Sequence, residues 1–350
     1  MNKKFLCLVE LFIGLAFLVG ASATALGEEF YQGKNLRFVV GASPGGGYDT
    51  YTRTIARHIG KYIPGNPTPI VQNMTGAGML IAAHYIYKRA KPDGLTVGVW
   101  NSAWIVKQAL GERKVIFKGD KFGWIGAPVK GLPSCAIMGF TGLKTLKDVL
   151  NSKKPLKMGA VPGGTMEDLP NILNLTLGTK FDIIAGYRGT APVRIAMQRR
   201  EIDGACWSWE SMRVTARSML DAKGDDKLIP FLTHGDSQDP EVKDVPRLTE
   251  VIKGEENLAV LNAWLYQYKF QRPLMLPPGT PKERLSILRK AFKATLEDPI
   301  FLAQAKKSKL IINYVSGEEI ERFVDQILAI SPKAKERLQF LIHKKKKKKS

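Results

Sequence analysis

VGASPGGGYDTYTR, residues 40–53, is the stretch of sequence that decides the fold. The apolar β-formers at residues 36–40 predict a strand that runs into it. The glycine run that follows predicts a loop, because consecutive glycines favour no regular element. Asp49 suits the start of a helix, and apolar side chains recur at helical spacing from Tyr51 to Ile59. The stretch therefore predicts a strand, a loop of bare backbone and a helix in direct succession.

This glycine loop is not one of the common phosphate-binding motifs. A P-loop needs Lys-Ser/Thr where Gly47 and Tyr48 stand, and a dinucleotide fingerprint needs a glycine where Thr50 stands. What remains is a helix N-terminus, whose unsatisfied N–H groups and dipole attract an anion without any charged side chain. The alternative is a glycine turn that only serves packing.

Strands and helices continue to alternate after this stretch. Residues 67–71 predict a strand, the glycine turn at 76–78 leads into a helix over 80–89, and residues 95–100 predict the next strand. Alternation of this kind is typical of an α/β sheet domain.

A second unit repeats the pattern. Residues 156–161 predict a strand, and Pro162-Gly163-Gly164 predicts a loop before a helix that opens at Thr165. A strand at 181–185, a helix at 191–200 and a strand at 202–207 follow. If the two units face each other, two helix N-termini point into one cleft.

The predicted fold class is therefore α/β, with two lobes and a ligand cleft between them. We expect lobe 1 to contain residues 27–127 and 240–342, and lobe 2 to contain residues 128–239. The chain would cross between the lobes near residues 124–135 and 228–237.

The N-terminus has the pattern of an export signal. Lys3 and Lys4 precede an apolar stretch at residues 5–19, and small residues suited to cleavage follow at 21–25. We therefore predict a signal peptide over residues 1–25, with an uncleaved anchor as the alternative. Export would place the chain in an oxidising compartment. There Cys135 and Cys206 could pair, or remain two buried free thiols.

Composition excludes several classes of protein. Among 350 residues, 44% are hydrophobic and 24% are charged, which excludes a disordered, a collagen-like or a multi-span membrane protein. The net charge of +21 includes six consecutive lysines at 344–349, in a low-complexity tail over 343–350 that we expect to be disordered. The remaining positive charge is scattered, so we expect no nucleic-acid partner.

No catalytic arrangement is apparent. The four histidines show no metal-ligand spacing, and neither a G-x-S-x-G nor an H-E-x-x-H motif is present. Cys206 has no evident histidine partner. We therefore expect no catalytic residues, no metal and no cofactor.

Five segments in order resemble the receptors of tripartite tricarboxylate transporters, the Bug-type extracytoplasmic solute-binding proteins. The matching segments are residues 40–53, 76–81 with KPDGLT at 91–96, YRGTAP at 187–192 with Glu201 and Asp203, DVPRLTE at 244–250 and LPPGTPK at 276–282. The resemblance implies a type II periplasmic-binding-protein fold that closes around a small carboxylate, in the periplasm. It implies delivery to the integral-membrane permease subunits of a tripartite transporter, and we expect a monomer.

The resemblance also implies which residues contact the ligand, chiefly through backbone N–H groups and hydroxyls. These are Ser43, Gly45, Gly46, Gly47, Asp49, Gly76, Ala77, Gly78, Asn101, Gly163, Gly164, Thr165, Tyr187 and Arg188. Trp207 at a strand end either packs in the core or forms a cleft wall against the ligand.

The sequence departs from the family pattern at positions that bear on the ligand. Ala42 replaces an aromatic residue, Met74-Thr75 replaces Arg-Pro, Met79-Leu80 replaces Gly-Asn, and a carboxylate common near Trp207 is missing. These changes reduce polarity or alter volume. They predict a bulkier or more apolar carboxylate, with aromatic acids included. Two other functions stay open: an exported α/β enzyme acting on a small anion, and a signalling adaptor with the same cleft.

Overall fold

The computed structural model describes residues 30–234 and 239–342. The predicted signal peptide (1–25) and basic tail (343–350) lie outside the described residues. Within those residues, no helix is both long enough and apolar enough to cross a membrane.

The described residues form strands and helices that alternate along most of the chain. The strands are β1 (Asn35–Val40), β2 (Thr68–Asn73), β3 (Thr96–Val99), β4 (Gly123–Ala127), β5 (Pro133–Met138), β6 (Leu156–Ala160), β7 (Phe181–Ala185), β8 (Gly204–Ser208), β9 (Leu228–Leu232), β10 (Leu274–Leu276) and β11 (Val315–Ser316). The helices are α1 (Gly47–Ile59), α2 (Leu80–Lys88), α3 (Ala103–Ala109), α4 (Leu146–Leu150), α5 (Thr165–Thr176), α6 (Thr190–Gln198), α7 (Trp209–Thr215), α8 (Arg217–Asp221), α9 (Leu248–Val251), α10 (Glu255–Leu265), α11 (Lys282–Glu297), α12 (Pro299–Lys307), α13 (Gly317–Leu328) and α14 (Pro332–Ile342).

The strands build two sheets of the same design. The first has the order β11-β4-β10-β3-β1-β2, and the second has the order β7-β6-β8-β5-β9. In each, one strand lies between two parallel neighbours, β1 between β2 and β3 and β6 between β7 and β8. An antiparallel strand, β10 or β5, then separates that trio from the rest. The predicted two-lobe α/β fold is confirmed.

Apolar side chains explain why the first strand and helix form where the sequence predicts them. Phe38, Val39 and Val40 of β1 are fully buried, as expected for a parallel strand covered on both faces. Tyr51 and Ile55 lie on the buried face of α1 and are 1% exposed. This packing fixes the direction of α1 relative to the strand before it, and hence where its N-terminus points.

The chain passes between the sheets on two adjacent segments. After β4, Val129 pairs in antiparallel fashion with Gln271 of the returning segment, and Gln271 N donates to Val129 O at 2.8 Å. Gly131 N donates to Tyr268 O at 2.7 Å. The sequence placed the return near residues 228–237, but residues 228–232 are the edge strand β9, because they pair with β5. The lobe boundaries 27–127, 240–342 and 128–239 stay a prediction.

The C-terminal helices cover the first sheet and reach the second lobe. Helices α11 and α13 pack on β4, whereas α14 packs on both α10 and α5. Because α5 follows β6, the last helix touches elements on both sides of the crossing segments.

Cys135 and Cys206 form a disulfide. They face each other directly on the antiparallel strands β5 and β8, and both are fully buried. The structure thus selects the paired state from the two that the sequence left open. A disulfide of this kind fits a protein of an oxidising compartment.

The disulfide closes a loop with a sequence separation of 71 residues. On the chain-entropy model, a loop of this length makes the disulfide worth about 4 kcal/mol of unfolding free energy. We therefore expect urea unfolding of the mature chain with a reductant to show a loss of that order. The Cys135→Ala/Cys206→Ala variant serves as the control, since its stability should not respond to the reductant. An equal response in the variant would contradict the assignment.

Candidate functional site

A cavity of about 60 Å³ lies between the two lobes. It sits at the carboxyl ends of the parallel strands of both sheets, where ligands bind in open α/β sheets. Its walls come from the loop after β1, the end of β3, the loops after β6 and β7, the end of β8 and the returning segment. The lining residues are Ala42, Gly46, Gly47, Tyr48, Met79, Asn101, Val161, Gly164, Thr165, Met166, Gly189, Thr190, Trp207, Ser208, Ser211, Gln271 and Arg272.

Three helices begin at this cavity. The N-cap residues of α1, α5 and α6 are Gly46, Gly164 and Gly189, and none of the three ends has a side-chain cap. All three glycines line the cavity. The first N–H groups of a helix have no partner within it, and the dipole adds partial positive charge there. The cavity therefore offers hydrogen-bond donors and positive potential from both lobes.

Glycines allow the two lobes to touch. A Cβ on Gly78 would lie 1.8 Å from the carbonyl oxygen of Pro162 in the facing lobe. A Cβ on Gly163 would lie 2.3 Å from the indole of Trp104, and one on Gly164 the same distance from Asn101 Nδ2. Real Cβ atoms do not approach this closely, so the lobes reach their present separation only because these residues have no side chains.

A buried ion pair also joins the lobes. Lys107 Nζ of α3 lies 2.6 Å from Asp168 Oδ1 of α5, and their side chains are 4% and 1% exposed. Separating the lobes would break this ion pair and expose both charged groups to water. The pair therefore belongs to the closed arrangement that the structure adopts.

One wall of the cavity contains a buried arginine. Arg272 Nη1 donates to Glu210 Oε1 at 2.9 Å, and Nη2 donates to Ser208 Oγ at 3.1 Å. Both charged side chains are 1% exposed. Burial opposes the charge on Arg272, but Glu210 and two neighbouring tyrosines outweigh it, so that its pKa is raised above the ordinary value. Arg272 is therefore a fixed cation.

Three buried donors on the cavity wall have no hydrogen-bond partner among the described residues. They are Ser211 Oγ, Trp207 Nε1 and Arg272 Nε. Buried polar groups are nearly always satisfied in native proteins, so a cluster of unsatisfied donors on one cavity needs an explanation. A ligand with acceptor oxygens would satisfy them.

The remaining wall is apolar. Met79, Val161 and Met166 line it together with the ring of Trp207, and each is at most 7% exposed. The cavity thus combines donors on one side with a hydrophobic surface on the other.

The structure brings six of the fifteen predicted site residues to the cavity: Gly46, Gly47, Asn101, Gly164, Thr165 and Trp207. Trp207 is therefore a cleft wall as well as a core residue. Five more make contacts between the lobes: Ser43, Gly45, Gly78, Gly163 and Arg188. Gly78 and Gly163 make the close approaches described above, and Ser43 N donates to Arg188 O at 3.3 Å across the cleft.

Asp49 has a structural role in the first glycine loop. Its carboxylate accepts from Gly45 N, Arg53 Nε and Asn73 Nδ2, each at 2.9 Å. Burial raises its pKa, but these hydrogen bonds outweigh burial and hold the pKa below its ordinary value. Asp49 therefore anchors the loop that presents Gly46, and it does not line the cavity.

The other predicted residues also lie off the cavity lining. Gly45 O accepts from Arg194 Nη2 at 3.2 Å. Gly76 and Ala77 form the turn before α2, with φ of 136° and 45°. Tyr187 is half-buried and Arg188 has an exposed side chain.

Several lining residues were not predicted from the sequence. Gly189 and Thr190 lie inside the YRGTAP segment (187–192), in which the sequence prediction assigned the ligand contacts to Tyr187 and Arg188. Ser208, Ser211 and Arg272 carried no sequence signal, since nothing local marks a residue that meets the site only through the crossing segments.

The described residues offer no group of His, Cys, Asp or Glu side chains that could hold a metal ion. The cavity lining in this part of the chain contains none of these four residue types.

Neither a known protein family nor a curated protein matches the sequence. Solved structures do match. The periplasmic binding protein BugD is 21% identical with a TM-score of 0.69, covering 89% of this chain and 98% of that chain. MatC from Rhodopseudomonas palustris, with bound malate, is 19% identical with a TM-score of 0.68, covering 89% and 99%. A second R. palustris protein, with adipate, is 16% identical with a TM-score of 0.70, covering 89% and 97%.

Each of these structures aligns with most of this chain at a TM-score near 0.7. The resemblance found in the sequence is therefore confirmed at the level of the fold, which is that of the two-lobe periplasmic binding proteins.

The contact between Gly78 and Pro162 generates a test of closure. In Gly78→Ala the new Cβ cannot sit 1.8 Å from the Pro162 oxygen, because a carbon–oxygen contact needs about 3.3 Å. We expect the lobes to stay apart by on the order of 1 Å or more at this point. Spin labels at the exposed positions Ile81, in the first lobe, and Ile195, in the second, would report the distance between the lobes by pulsed electron paramagnetic resonance.

The matched control is Gly142→Ala. Gly142 has a φ of 74°, close to the 62° of Gly78, but a Cβ there meets nothing within 4 Å. The control therefore carries the same backbone strain without the clash between lobes. Unchanged label distances in both variants would contradict the role given to Gly78.

Proposed function

We propose that this protein is an extracytoplasmic solute-binding protein that captures a small carboxylate between its lobes. The observation that carries the proposal is the convergence of three uncapped helix N-termini and three unpartnered buried donors on one cavity. The wall presents hydrogen-bond donors and positive potential, and a carboxylate supplies the acceptor oxygens and the negative charge that complement them. The malate and adipate bound by structures of the same fold support the same class of ligand.

Simple energetics support binding without catalysis. Each helix N-terminus contributes about 0.3–1 kcal/mol to an adjacent anion. Hydrogen bonds to a charged acceptor contribute about 1.5–3 kcal/mol apiece. A few of each reach the ~8 kcal/mol of micromolar binding, before the costs of association. No nucleophile, base or metal is needed for this task.

We propose that the protein works in the periplasm and passes its ligand to integral-membrane permease subunits of a tripartite transporter. The signal-like pattern at residues 1–25 and the disulfide between Cys135 and Cys206 support export. Two of the structural neighbours are described as a periplasmic binding protein and a periplasmic transporter. We further propose that the receptor acts as a monomer, since one chain supplies both lobes of the cleft.

The apolar wall bears on the body of the ligand. Ala42 and Met79 both line the cavity, so the Met79 side chain takes up space beside the small side chain of Ala42. The closed volume of about 60 Å³ holds on the order of four to six waters. This suits an apolar body of a few carbon atoms. A bulky or aromatic acid would need Met79 or the lobes to move.

Thermal and chemical unfolding with a panel of acids tests the proposal. A cognate carboxylate at 100 times its Kd should raise the free energy of unfolding by about 2.7 kcal/mol, because it binds only the folded chain. The panel holds mono-, di- and tricarboxylates together with benzoate and uncharged amides of the same acids. The amides should give no shift, since they lack the negative charge. If no carboxylate shifts the transition, the proposal fails.

Whether the bound acid is chemically converted distinguishes a receptor from an enzyme. The bound acid should be recovered unchanged after prolonged incubation, as judged by NMR. Steady conversion of the acid, abolished when the cavity is blocked by Gly47→Val, would favour the exported α/β enzyme instead.

A further inference from the structure

The number of charged residues at the cavity limits the charge that its ligand can carry. This inference rests on the proposed function and narrows the class of ligand. Among the described residues that line the cavity, Arg272 alone carries a formal charge. Its counter-ion, Glu210, is fully buried and lies behind the wall. The formal charges therefore cancel before any solute arrives.

Glu210 is held as firmly as Arg272. One carboxylate oxygen accepts from Arg272 Nη1 at 2.9 Å, and the other accepts from Leu132 N at 3.1 Å. Leu132 lies on the outgoing crossing segment and Arg272 on the returning one. The pairing of Val129 with Gln271 joins the two segments, and the hydrogen bond from Leu132 keeps Glu210 beside Arg272.

The guanidinium of Arg272 lies against the start of α1. A Cβ placed on Gly47 would lie 3.2 Å from Arg272 Nη2 and 2.3 Å from Ser211 Oγ. Arg272 Nε and Ser211 Oγ are both buried without a hydrogen-bond partner among the described residues. A guanidinium edge, a hydroxyl and a helix N-terminus thus meet at one point, which suits one carboxylate.

A second carboxylate would find no second cation on the cavity wall. The N-termini of α5 and α6 offer it N–H groups and partial positive charge only. The rest of the lining offers Met79, Val161 and Met166, with neutral side chains such as Asn101 and Thr190. The third unpartnered donor, Trp207 Nε1, is uncharged and does not alter the charge count. Outside the lining, Arg194 donates to Thr190 Oγ1 at 3.4 Å and to Gly45 O at 3.2 Å. A second negative charge would be buried near Glu210 without a cation of its own among the described lining residues, which is costly.

We propose that Ser211, Arg272 and the N-terminus of α1 form a seat for a single carboxylate, and that Glu210, by neutralising Arg272, makes the site selective for monoanions. Glu210 is then a specificity-determining residue that need not touch the solute. The solute class is a short monocarboxylic acid with an apolar body.

Butanoate and succinate form the matched pair of probes, because they share four carbon atoms and differ by one carboxylate. Calorimetry at neutral pH, where both are fully ionised, should show wild-type protein binding butanoate at least roughly tenfold tighter than succinate. Glu210→Gln keeps the shape but removes the negative charge, so that Arg272 gains a free charge for a second carboxylate. This variant should shift the ratio of the two affinities toward succinate by roughly tenfold or more.

Two further variants make the result decisive. Ser211→Ala should weaken both probes by roughly threefold to tenfold, since the hydroxyl serves the carboxylate that they share. Glu319→Gln, which removes the same charge from the cap of α13 on the first sheet, should leave both affinities and their ratio unchanged. Circular dichroism and melting curves confirm that each variant is folded before its affinity is read.

The outcomes separate the two claims. If wild-type protein binds succinate as tightly as butanoate, or if Glu210→Gln leaves the ratio unchanged, monoanion selectivity is overturned while the receptor function stands. If Ser211→Ala binds butanoate normally, the seat is assigned to the wrong place. If no carboxylate of the wider panel binds wild-type protein, the proposed function itself fails and the selectivity fails with it.

Discussion

Buried N–H groups at the starts of α1, α5 and α6 are the constraint on which the site depends. Each helix begins at a glycine that cannot supply a side-chain cap, so its first N–H groups depend on a partner from outside the helix. In an exposed loop that partner would be water. Here the two lobes close over the three ends, and Gly164, together with Gly78 and Gly163, has no side chain to keep the lobes apart. The absence of side chains at these positions therefore permits closure of the lobes and also leaves helix N–H groups that an anion can bind.

The topology explains why these ends meet. Each sheet places its first parallel strand, β1 or β6, between two parallel neighbours, and a helix leaves the carboxyl end of each of these two strands. Two copies of this design, joined by two adjacent crossing segments, turn the carboxyl ends of both sheets toward one gap. The crossing segments also carry part of the site. Arg272 lies on the returning segment and Leu132 on the outgoing one, so that the Glu210 ion pair links the hinge region to the cavity wall.

Local sequence predicted the parts of the site that depend on local structure. The loops before α1 and α5 follow from apolar strands, glycine runs and helical spacing, all within about twenty residues, and the structure places them as expected. The return crossing was misplaced because β9 and a true crossing strand look alike in sequence, and only pairing with β5 distinguishes them. Arg272 and Ser211 escaped notice for the same reason. They reach the cavity through contacts between distant segments, which no local pattern encodes.

The most direct test is a crystal structure of the protein grown with 3-bromopropanoate, whose bromine is located by anomalous scattering. The account predicts closed lobes, the carboxylate within hydrogen-bond distance of Ser211 Oγ and the first N–H groups of α1, and bromine against Met79 and Met166. A carboxylate bound elsewhere, or bromine beside Arg272 with the acid group against the methionines, would contradict it.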